Sequence, residues 1–204
     1  SGTNNIICGD NVNVIDNHSL TGANNYADIY GAGLYNEGIA IIDNINISNN
    51  SIDRYNSDWS SSNRGGGAYN SATLTMKNSF INNNINGNDI NSYGNWGGGI
   101  YSEGSLTLEN VEVSGNIVRG DKGAGIMADG ILKLDHVLIN DNLIIANADA
   151  WEDDCKGGGI WYNTGTCFYS DCYLEVINST IINNSICEDS YSQGSAIYIE
   201  DEQW

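Results

Sequence analysis

Proline is absent from the 204-residue chain, and positively charged residues are rare. Because proline removes a backbone hydrogen-bond donor, its absence favours strands whose hydrogen-bond ladders continue without interruption. Seven Lys and Arg stand against 26 Asp and Glu, which gives a formal net charge of −19. A chain this acidic repels phosphate groups and anionic lipids, so we expect no nucleic-acid partner.

Long apolar runs are also missing from the sequence. No stretch approaches the roughly 20 apolar residues that a membrane-spanning helix needs, so we expect no membrane insertion. Only 16% of the residues are charged, and most of the polarity comes from Asn, Ser and Gly. This composition differs from the charge-rich composition of disordered segments, and the length fits one folded domain over residues 1–204.

A glycine-rich motif of five residues recurs along the chain. Its six copies read GAGLY, GGGAY, GGGIY, GAGIM, GGGIW and GSAIY, and they lie at 31–35, 65–69, 97–101, 123–127, 157–161 and 194–198. A second block follows each of the first five copies and is clearest as GSLTLENVEVSGN at 104–116. Its apolar residues alternate with polar ones, which is the period of a β-strand. In this copy we expect the inward-pointing residues to be Leu106, Leu108, Val111 and Val113.

The two blocks keep a constant spacing while the loop between repeats varies in length. Successive motifs start 34, 32, 26, 34 and 37 residues apart, yet the last motif residue precedes the final Asn of the second block by 15 residues wherever no insertion intervenes. A constant rung with one elastic loop is what a parallel β-helix requires, because each coil must stack in register on the one before. We therefore predict an all-β solenoid of about six coils, with three short strands and one variable loop per coil.

Asparagine recurs at two equivalent positions of the repeat. The first Asn column comprises Asn11, Asn44, Asn78, Asn110 and Asn178, with His136 in one rung, and the second Asn column comprises Asn17, Asn50, Asn84, Asn116, Asn142 and Asn184. Coils stacked at about 4.8 Å superpose like side chains, so a corner Asn can hydrogen-bond its neighbours above and below. Both columns should therefore form structural ladders.

With these motifs the chain resembles the right-handed parallel β-helices of the pectate-lyase-like superfamily, and among them the GGGIY-repeat polymorphic outer-membrane-like and archaeal adhesin-like surface proteins. The resemblance covers nearly the whole chain. It implies a right-handed coil and exposure at a cell surface or in the extracellular space. It does not identify one function, because the group includes lyases, adhesins, phage spikes and structural proteins.

The two ends of the sequence are complementary in phase. Residues 4–17 match only the second block, and residues 194–204 supply only the first block. The chain is then either a piece of a longer solenoid or a subunit that stacks head to tail, and we favour stacking. On that hypothesis it is a structural subunit of an extracellular filament, sheath or surface layer, with itself as partner. The alternative is an adhesin or glycan-binding segment of a longer surface protein.

Aromatic residues stand beside acids and amides in the variable loops. If they stack on sugars, the loops form a glycan-binding face; otherwise they cover the side of the solenoid or contact neighbouring subunits. The candidate glycan-binding residues are Tyr55, Trp59, Tyr93, Trp96 and Trp151.

Catalysis is not expected from this sequence. Asp43, Glu109 and Asp135 occupy equivalent positions next to a corner, and we interpret them as a solvated charge ladder with Lys77 between the first two. They are the first residues to test if the chain is instead a polysaccharide lyase or hydrolase acting on uronic-acid polymers. Two residues are too isolated in the sequence to suggest a triad or a metal site, namely His18 and His136.

The cysteines lack the close-spaced pairs that a zinc site requires, so disulfides in an oxidising compartment are the better interpretation. We predict two pairs, Cys167 with Cys172 in an insertion at about 163–173, and Cys155 with Cys187 between adjacent coils. Cys8 is then left either as a free thiol or for an intersubunit bond.

Two further features suit an extracellular protein. Five Asn-x-Ser/Thr sequons permit glycosylation, at Asn17, Asn46, Asn49, Asn178 and Asn183, although an Asn-rich chain produces such triplets by chance. An acidic cluster offers oxygen ligands to calcium at Glu152, Asp153 and Asp154. This cluster lacks EF-hand spacing, so a solvated acidic loop is the alternative, and we expect no other cofactor.

Overall fold

The structure is a computed structural model that describes residues 11–21, 28–54, 62–87, 94–120, 122–145, 155–164, 172–186 and 192–200. Within these residues the backbone forms strands and no helix, and the strands stack into a right-handed parallel β-helix of about six coils. The predicted fold class is therefore confirmed. None of the described ranges contains a helix with the length and apolar content needed to cross a membrane.

The strands are short and follow one another closely along the chain. In chain order they are β1 (Val12–Ile15), β2 (His18–Thr21), β3 (Ile29–Tyr30), β4 (Leu34–Asn36), β5 (Ile39–Asp43), β6 (Ile45–Ser48), β7 (Ser51–Arg54), β8 (Asn63–Arg64), β9 (Ala68–Asn70), β10 (Thr73–Lys77), β11 (Phe80–Asn82), β12 (Ile85–Asn86), β13 (Asn95–Trp96), β14 (Ile100–Ser102), β15 (Ser105–Glu109), β16 (Glu112–Ser114), β17 (Ile117–Arg119), β18 (Ile126–Ala128), β19 (Ile131–Asp135), β20 (Leu138–Asn140), β21 (Leu143–Ile145), β22 (Ile160–Asn163), β23 (Leu174–Ile177), β24 (Thr180–Ile182), β25 (Ser185–Ile186) and β26 (Ile197–Glu200).

Strands of successive coils pair in parallel to form five sheets. The motif sheet contains β4, β9, β14, β18, β22 and β26; the second sheet β5, β10, β15, β19 and β23; the third sheet β1, β6, β11, β16, β20 and β24; the fourth sheet β2, β7, β12, β17, β21 and β25; and the short sheet β3, β8 and β13. The register follows the repeat, since Leu106 pairs with Leu74 on one side and Leu132 on the other. Each repeat position thus superposes on the same position of the next coil.

Within the described residues, each complete coil contains four or five short strands rather than the predicted three. Non-glycine residues enter the left-handed region at two corners, one at the first Asn column and one just before the second, as at Asn110 with φ 54° and Asn83 with φ 56°. A left-handed residue ends a strand, and Asn tolerates this conformation better than most residues do. Each coil is therefore divided at these corners into more and shorter strands than the alternation of apolar and polar residues predicts.

The interior is lined by the predicted apolar positions. Leu106, Leu108, Val111 and Val113 are all buried, and they form one cluster with the equivalent residues of neighbouring coils. Full burial of such a side chain is worth about 1.5–3 kcal/mol relative to exposure. The prediction for these inward positions is confirmed, and columns of aliphatic side chains join each coil to the next.

The second Asn column forms a continuous ladder through the interior. Between consecutive members, from Asn17 to Asn184, the side-chain amide donates to the next Oδ1 at 2.8 to 3.0 Å. The backbone N–H donates to the same oxygen at 3.0 to 3.1 Å. The second amide hydrogen reaches a backbone carbonyl, as from Asn116 to Ile81 at 2.8 Å. The predicted ladder is confirmed here.

The first Asn column has a different role. Asn110 donates to Asn78 at 2.7 Å, but Asn78 donates onward to Asp43 at 2.8 Å, so an aspartate replaces the next asparagine as acceptor. What its described members share is the left-handed backbone, which His136 also adopts with φ 54°. The corner conformation therefore selects Asn at this position, and the amide ladder is interrupted.

The cysteines differ in their surroundings. Cys155 is present as a buried thiol in an apolar cluster with Val118, Ala124 and Ile144. The thiol form of Cys155 is at odds with the predicted bridge to Cys187, and Cys187 itself lies outside the described residues.

One cysteine of the predicted insertion takes part in a disulfide. Cys172 is disulfide-bonded. Its expected partner Cys167 lies outside the described residues, as do Cys8 and Cys187, so the pairing of Cys167 with Cys172 stays a prediction.

Candidate functional site

A groove of about 600 Å³ lies on the outward side of the motif sheet. Its floor is aromatic, and its walls carry acids and a lysine. The lining residues that define its chemistry are Tyr101, Met127, Trp161, Glu103, Asp129 and Lys122. Three columns of the β-helix meet in this groove.

The aromatic column is made of the last residue of each motif. Successive strand residues point to opposite faces, so the inward position of Ile100 turns Tyr101 outward. Parallel register aligns this position through the coils, and the aromatic column comprises Tyr35, Tyr69, Tyr101, Met127, Trp161 and Tyr198. The rings of Tyr69 and Tyr101 stack with centroids 5.7 Å apart. Trp161 and Tyr101 are each only 3% exposed, although both face away from the interior.

The cation column runs beside the aromatic column. It continues the register of the short sheet, which places Arg64, Lys122 and Lys156 in one line with Tyr30 and Trp96. Each cation lies over an aromatic ring, with distances to the centroid of 5.1 Å from Arg64 to Trp96, 4.8 Å from Lys122 to Trp161 and 5.1 Å from Lys156 to Tyr198. Cation–π contacts of this kind hold the long side chains against the groove wall.

The acid wall lies on the other side of the aromatic column. Glu103 accepts hydrogen bonds from Arg64 at 2.6 Å, Tyr69 at 2.7 Å and Tyr101 at 3.2 Å. The Tyr101 hydroxyl also contacts Asp129 Oδ2 at 2.7 Å. Tyr101 therefore links two carboxylates of adjacent coils and fixes their positions along the groove.

Burial shifts the ionisation of this network. Burial raises the pKa of Tyr101 above its ordinary value, and the nearby Asp129 carboxylate raises it further. Burial is also the main cause of a raised pKa for Tyr69 and for Asp129, whose hydrogen bond from Tyr101 acts in the opposite direction. The tyrosine hydroxyls therefore stay protonated as donors at neutral pH.

The cations of the column are matched by carboxylates. Arg64 lies 2.6 Å from Glu103, and Glu200 lies 3.6 Å from Lys122 and 3.5 Å from Lys156. These nearby carboxylates offset the charge of the three cations. The groove therefore carries little net positive charge, although the cations lie in one line.

The groove contains a buried hydrogen-bond donor that has no acceptor among the residues that the structure describes. The indole Nε1 of Trp161 is buried and has no hydrogen-bond acceptor. Buried donors are nearly always paired, because an unmade hydrogen bond is costly. An acceptor from a ligand would satisfy this N–H.

The structure describes only part of the predicted glycan-binding set. Trp96 lies in the groove wall, whereas Tyr55, Trp59, Tyr93 and Trp151 lie outside the described residues. The calcium candidates Glu152, Asp153 and Asp154 lie outside them too, and the described residues contain no group of three or more metal-binding side chains.

The main groove residues were missed from the sequence. In the sequence, Tyr101 and Trp161 stand out only as the last residue of a repeated motif, and Arg64, Lys122 and Lys156 look scattered along the chain. The available signal was the alternation of strand residues, since an inward Ile100 requires an outward Tyr101.

The predicted sequons lie in different settings. Asn49 and Asn183 are exposed in left-handed corners, whereas the amide nitrogens of Asn17 and Asn178 donate within the chain. Asn46 is half-buried on the third sheet. Glycosylation at these sites stays a prediction.

Two further groups of polar residues lie away from the groove. Asp43, Lys77, Glu109 and Asp135 form the expected line on the second sheet, where Lys77 pairs with Glu109 at 2.6 Å. They lie on the outward face, as a charge ladder should.

His18 is less isolated than its sequence position indicates. Its Nδ1 lies 2.5 Å from Ser51 Oγ, and its Nε2 lies 2.9 Å from Asp53 Oδ2. Parallel pairing of β2 with β7 brings the three side chains together on the fourth sheet. One ring nitrogen can accept a hydrogen bond from the Ser51 hydroxyl while the other donates to the Asp53 carboxylate.

No family model, curated protein or solved structure matches the chain. The fold is therefore assigned from its own strand topology. The function has to be argued from the groove and from the other surfaces of this chain.

Proposed function

We propose that the chain is an extracellular, surface-exposed β-helix that binds glycans in the groove on its motif sheet. The observation that carries the proposal is the outward aromatic column between acid and cation walls. Sugars combine an apolar ring face with hydroxyl groups. Trp96 is the half-buried ring that lines the groove and can contact an apolar sugar face, and the polar walls can hydrogen-bond the hydroxyl groups.

The extracellular location has separate support. Cys172 is disulfide-bonded, and disulfides persist mainly in oxidising compartments. The GGGIY-type motif also resembles the repeats of adhesin-like surface proteins, which fits a binding module displayed outside the cell.

The substitution Trp96→Ala tests the proposed function. Trp96 lines the groove, and loss of its ring should weaken glycan binding by about tenfold, equivalent to about 1.4 kcal/mol. Binding would be measured by screening a glycan array and then by retention on the immobilised hits. Phe80→Ala is the matched control, because Phe80 is 46% exposed and belongs to the third sheet. Equal retention of the two variants would count against the groove as the site.

Head-to-tail stacking into a filament, sheath or surface layer is a second candidate, favoured by exposed inward-facing residues in the outermost described coils. Val176 is 40% exposed, whereas Leu134 in the same column is 1% exposed. Val12 is 37% exposed, whereas Ile45 beside it is 3% exposed. A further coil would bury these residues and pair the open strand edges. A second copy can supply that coil, and such a contact between unlike ends builds an open filament.

Charge at these two coil faces should prevent stacking. Val176→Glu and Val12→Glu place a carboxylate where another coil would bury an apolar side chain, so each should reduce concentration-dependent association. Ile41→Glu is the control, because Ile41 is exposed on the outward side of the second sheet. Sedimentation velocity over a concentration series and negative-stain microscopy measure the assembly. Monodisperse wild-type monomers at high concentration would contradict self-stacking.

A further inference from the structure

The charges around the groove restrict the class of glycan that fits it. Lys122 is the cation that lines the groove, and Arg64 and Lys156 continue its column beyond the groove. Each of these cations lies within 4 Å of Glu103 or Glu200. Asp129 adds another carboxyl group to the opposite wall. An acidic sugar would therefore have to displace an existing ion pair and would face carboxylates at short range. The net charge of −19 adds long-range repulsion of a polyanion.

The hydrogen-bonding groups of the groove also favour an uncharged sugar over an acidic one. The carboxylates of Glu103 and Asp129 accept hydrogen bonds, whereas the Trp161 N–H donates and has no acceptor. A sugar hydroxyl can accept from Trp161 and donate to a carboxylate, because a hydroxyl has both capacities. The carboxylate of a uronic acid only accepts hydrogen bonds, so it cannot donate one to Glu103 or Asp129.

The direction of the aromatic column indicates the shape of the ligand. The column crosses the strands, so it runs along the solenoid axis with one side chain per coil. Coils are spaced by about 4.8 Å, which is close to the length that one pyranose ring adds to an extended glycan. Successive sugars of an unbranched chain can therefore meet successive coils.

We propose that the groove binds a neutral, linear hexose polymer aligned with the solenoid axis, and that it discriminates against uronic-acid polymers. This proposal rests on the glycan-binding function proposed above. Trp161 is the specificity-determining donor, and the acid wall is the element that rejects anionic sugars.

The test compares two sets of oligosaccharides of equal length by isothermal titration calorimetry at low and high salt. One set contains neutral glucose and mannose oligomers, and the other contains galacturonate and alginate oligomers. Binding of a neutral oligomer with an affinity that salt does not change, and no binding of the uronates, is the expected result. Salt-sensitive binding of uronates alone would overturn this inference and leave glycan binding standing. No binding by either set would overturn both.

The substitution Trp161→Phe sharpens the test. Phenylalanine keeps an aromatic ring but removes the N–H donor together with the second ring of the indole, so affinity for the neutral oligomer should fall about tenfold. Phe80→Ala should leave the affinity unchanged, and circular dichroism with thermal unfolding checks that both variants stay folded. Wild-type affinity in Trp161→Phe would overturn the role of the indole N–H.

Discussion

The substitution Asn116→Ala is expected to lower the free energy of unfolding by about 4 kcal/mol. Asn116 lies in the middle of the second Asn column and is fully buried. Its Oδ1 accepts from the backbone N–H and the side chain of Asn84, each at 3.0 Å. Its amide donates to Asn142 at 2.9 Å and to the carbonyl of Ile81 at 2.8 Å. Alanine removes these four hydrogen bonds and leaves the buried backbone N–H of Asn84 without its acceptor and away from water.

Urea denaturation of the wild type and of two variants measures this effect. Asn110→Gly is the matched control, because Asn110 belongs to the exposed first Asn column and glycine readily adopts its φ of 54°. We expect this control to cost about 1 kcal/mol, the value of one exposed hydrogen bond. A loss in Asn116→Ala no larger than that in Asn110→Gly would show that the buried ladder is not a major source of stability.

Much of the fold was predictable because the spacing of the sequence repeat follows directly from the stacking of one coil on the next. Alternation places Leu106 and Leu108 on one side of a strand, and constant spacing forces coils into register. The second Asn column was predictable for the same reason, since superposed amides in a stack must meet. A structural repeat can be recognised in a single sequence when the equivalent residues of each coil make the same contacts.

The groove was harder to predict because it depends on where neighbouring columns converge. Lys122 and Glu200 are 78 positions apart in the sequence (200 minus 122), yet they lie 3.6 Å apart in the structure. The first Asn column shows another limit, because the same residue type serves a backbone corner there and an amide ladder in the second column. Residue identity alone does not distinguish these two roles.

The glycines of the motif also have two roles. Gly97 has φ +69°, a conformation that side chains rarely adopt. Gly99 does not have a positive φ, and its requirement is space. A Cβ at Gly99 would lie 2.6 Å from the carbonyl oxygen of Gly125 and 2.9 Å from the Asn116 amide nitrogen. The third glycine therefore lets the next coil and the buried ladder approach the motif.

The substitution Gly99→Ala should consequently destabilise the protein by about 3 kcal/mol, since an overpacked core site costs about 1–3 kcal/mol and the ladder is strained as well. Thermal and urea unfolding measure the loss. Gly115→Asn is the control, because Gly115 has φ +63° and Asn83 adopts the equivalent corner with φ 56°. A Cβ at Gly115 would lie 2.4 Å from Asn83 Oδ1, but this atom ends an exposed side chain that can rotate away, so the control should unfold close to the wild type. A stable Gly99→Ala would mean that the coils can separate locally without breaking the Asn116 ladder, and the close packing of motif and ladder would then not be what holds the coils in register.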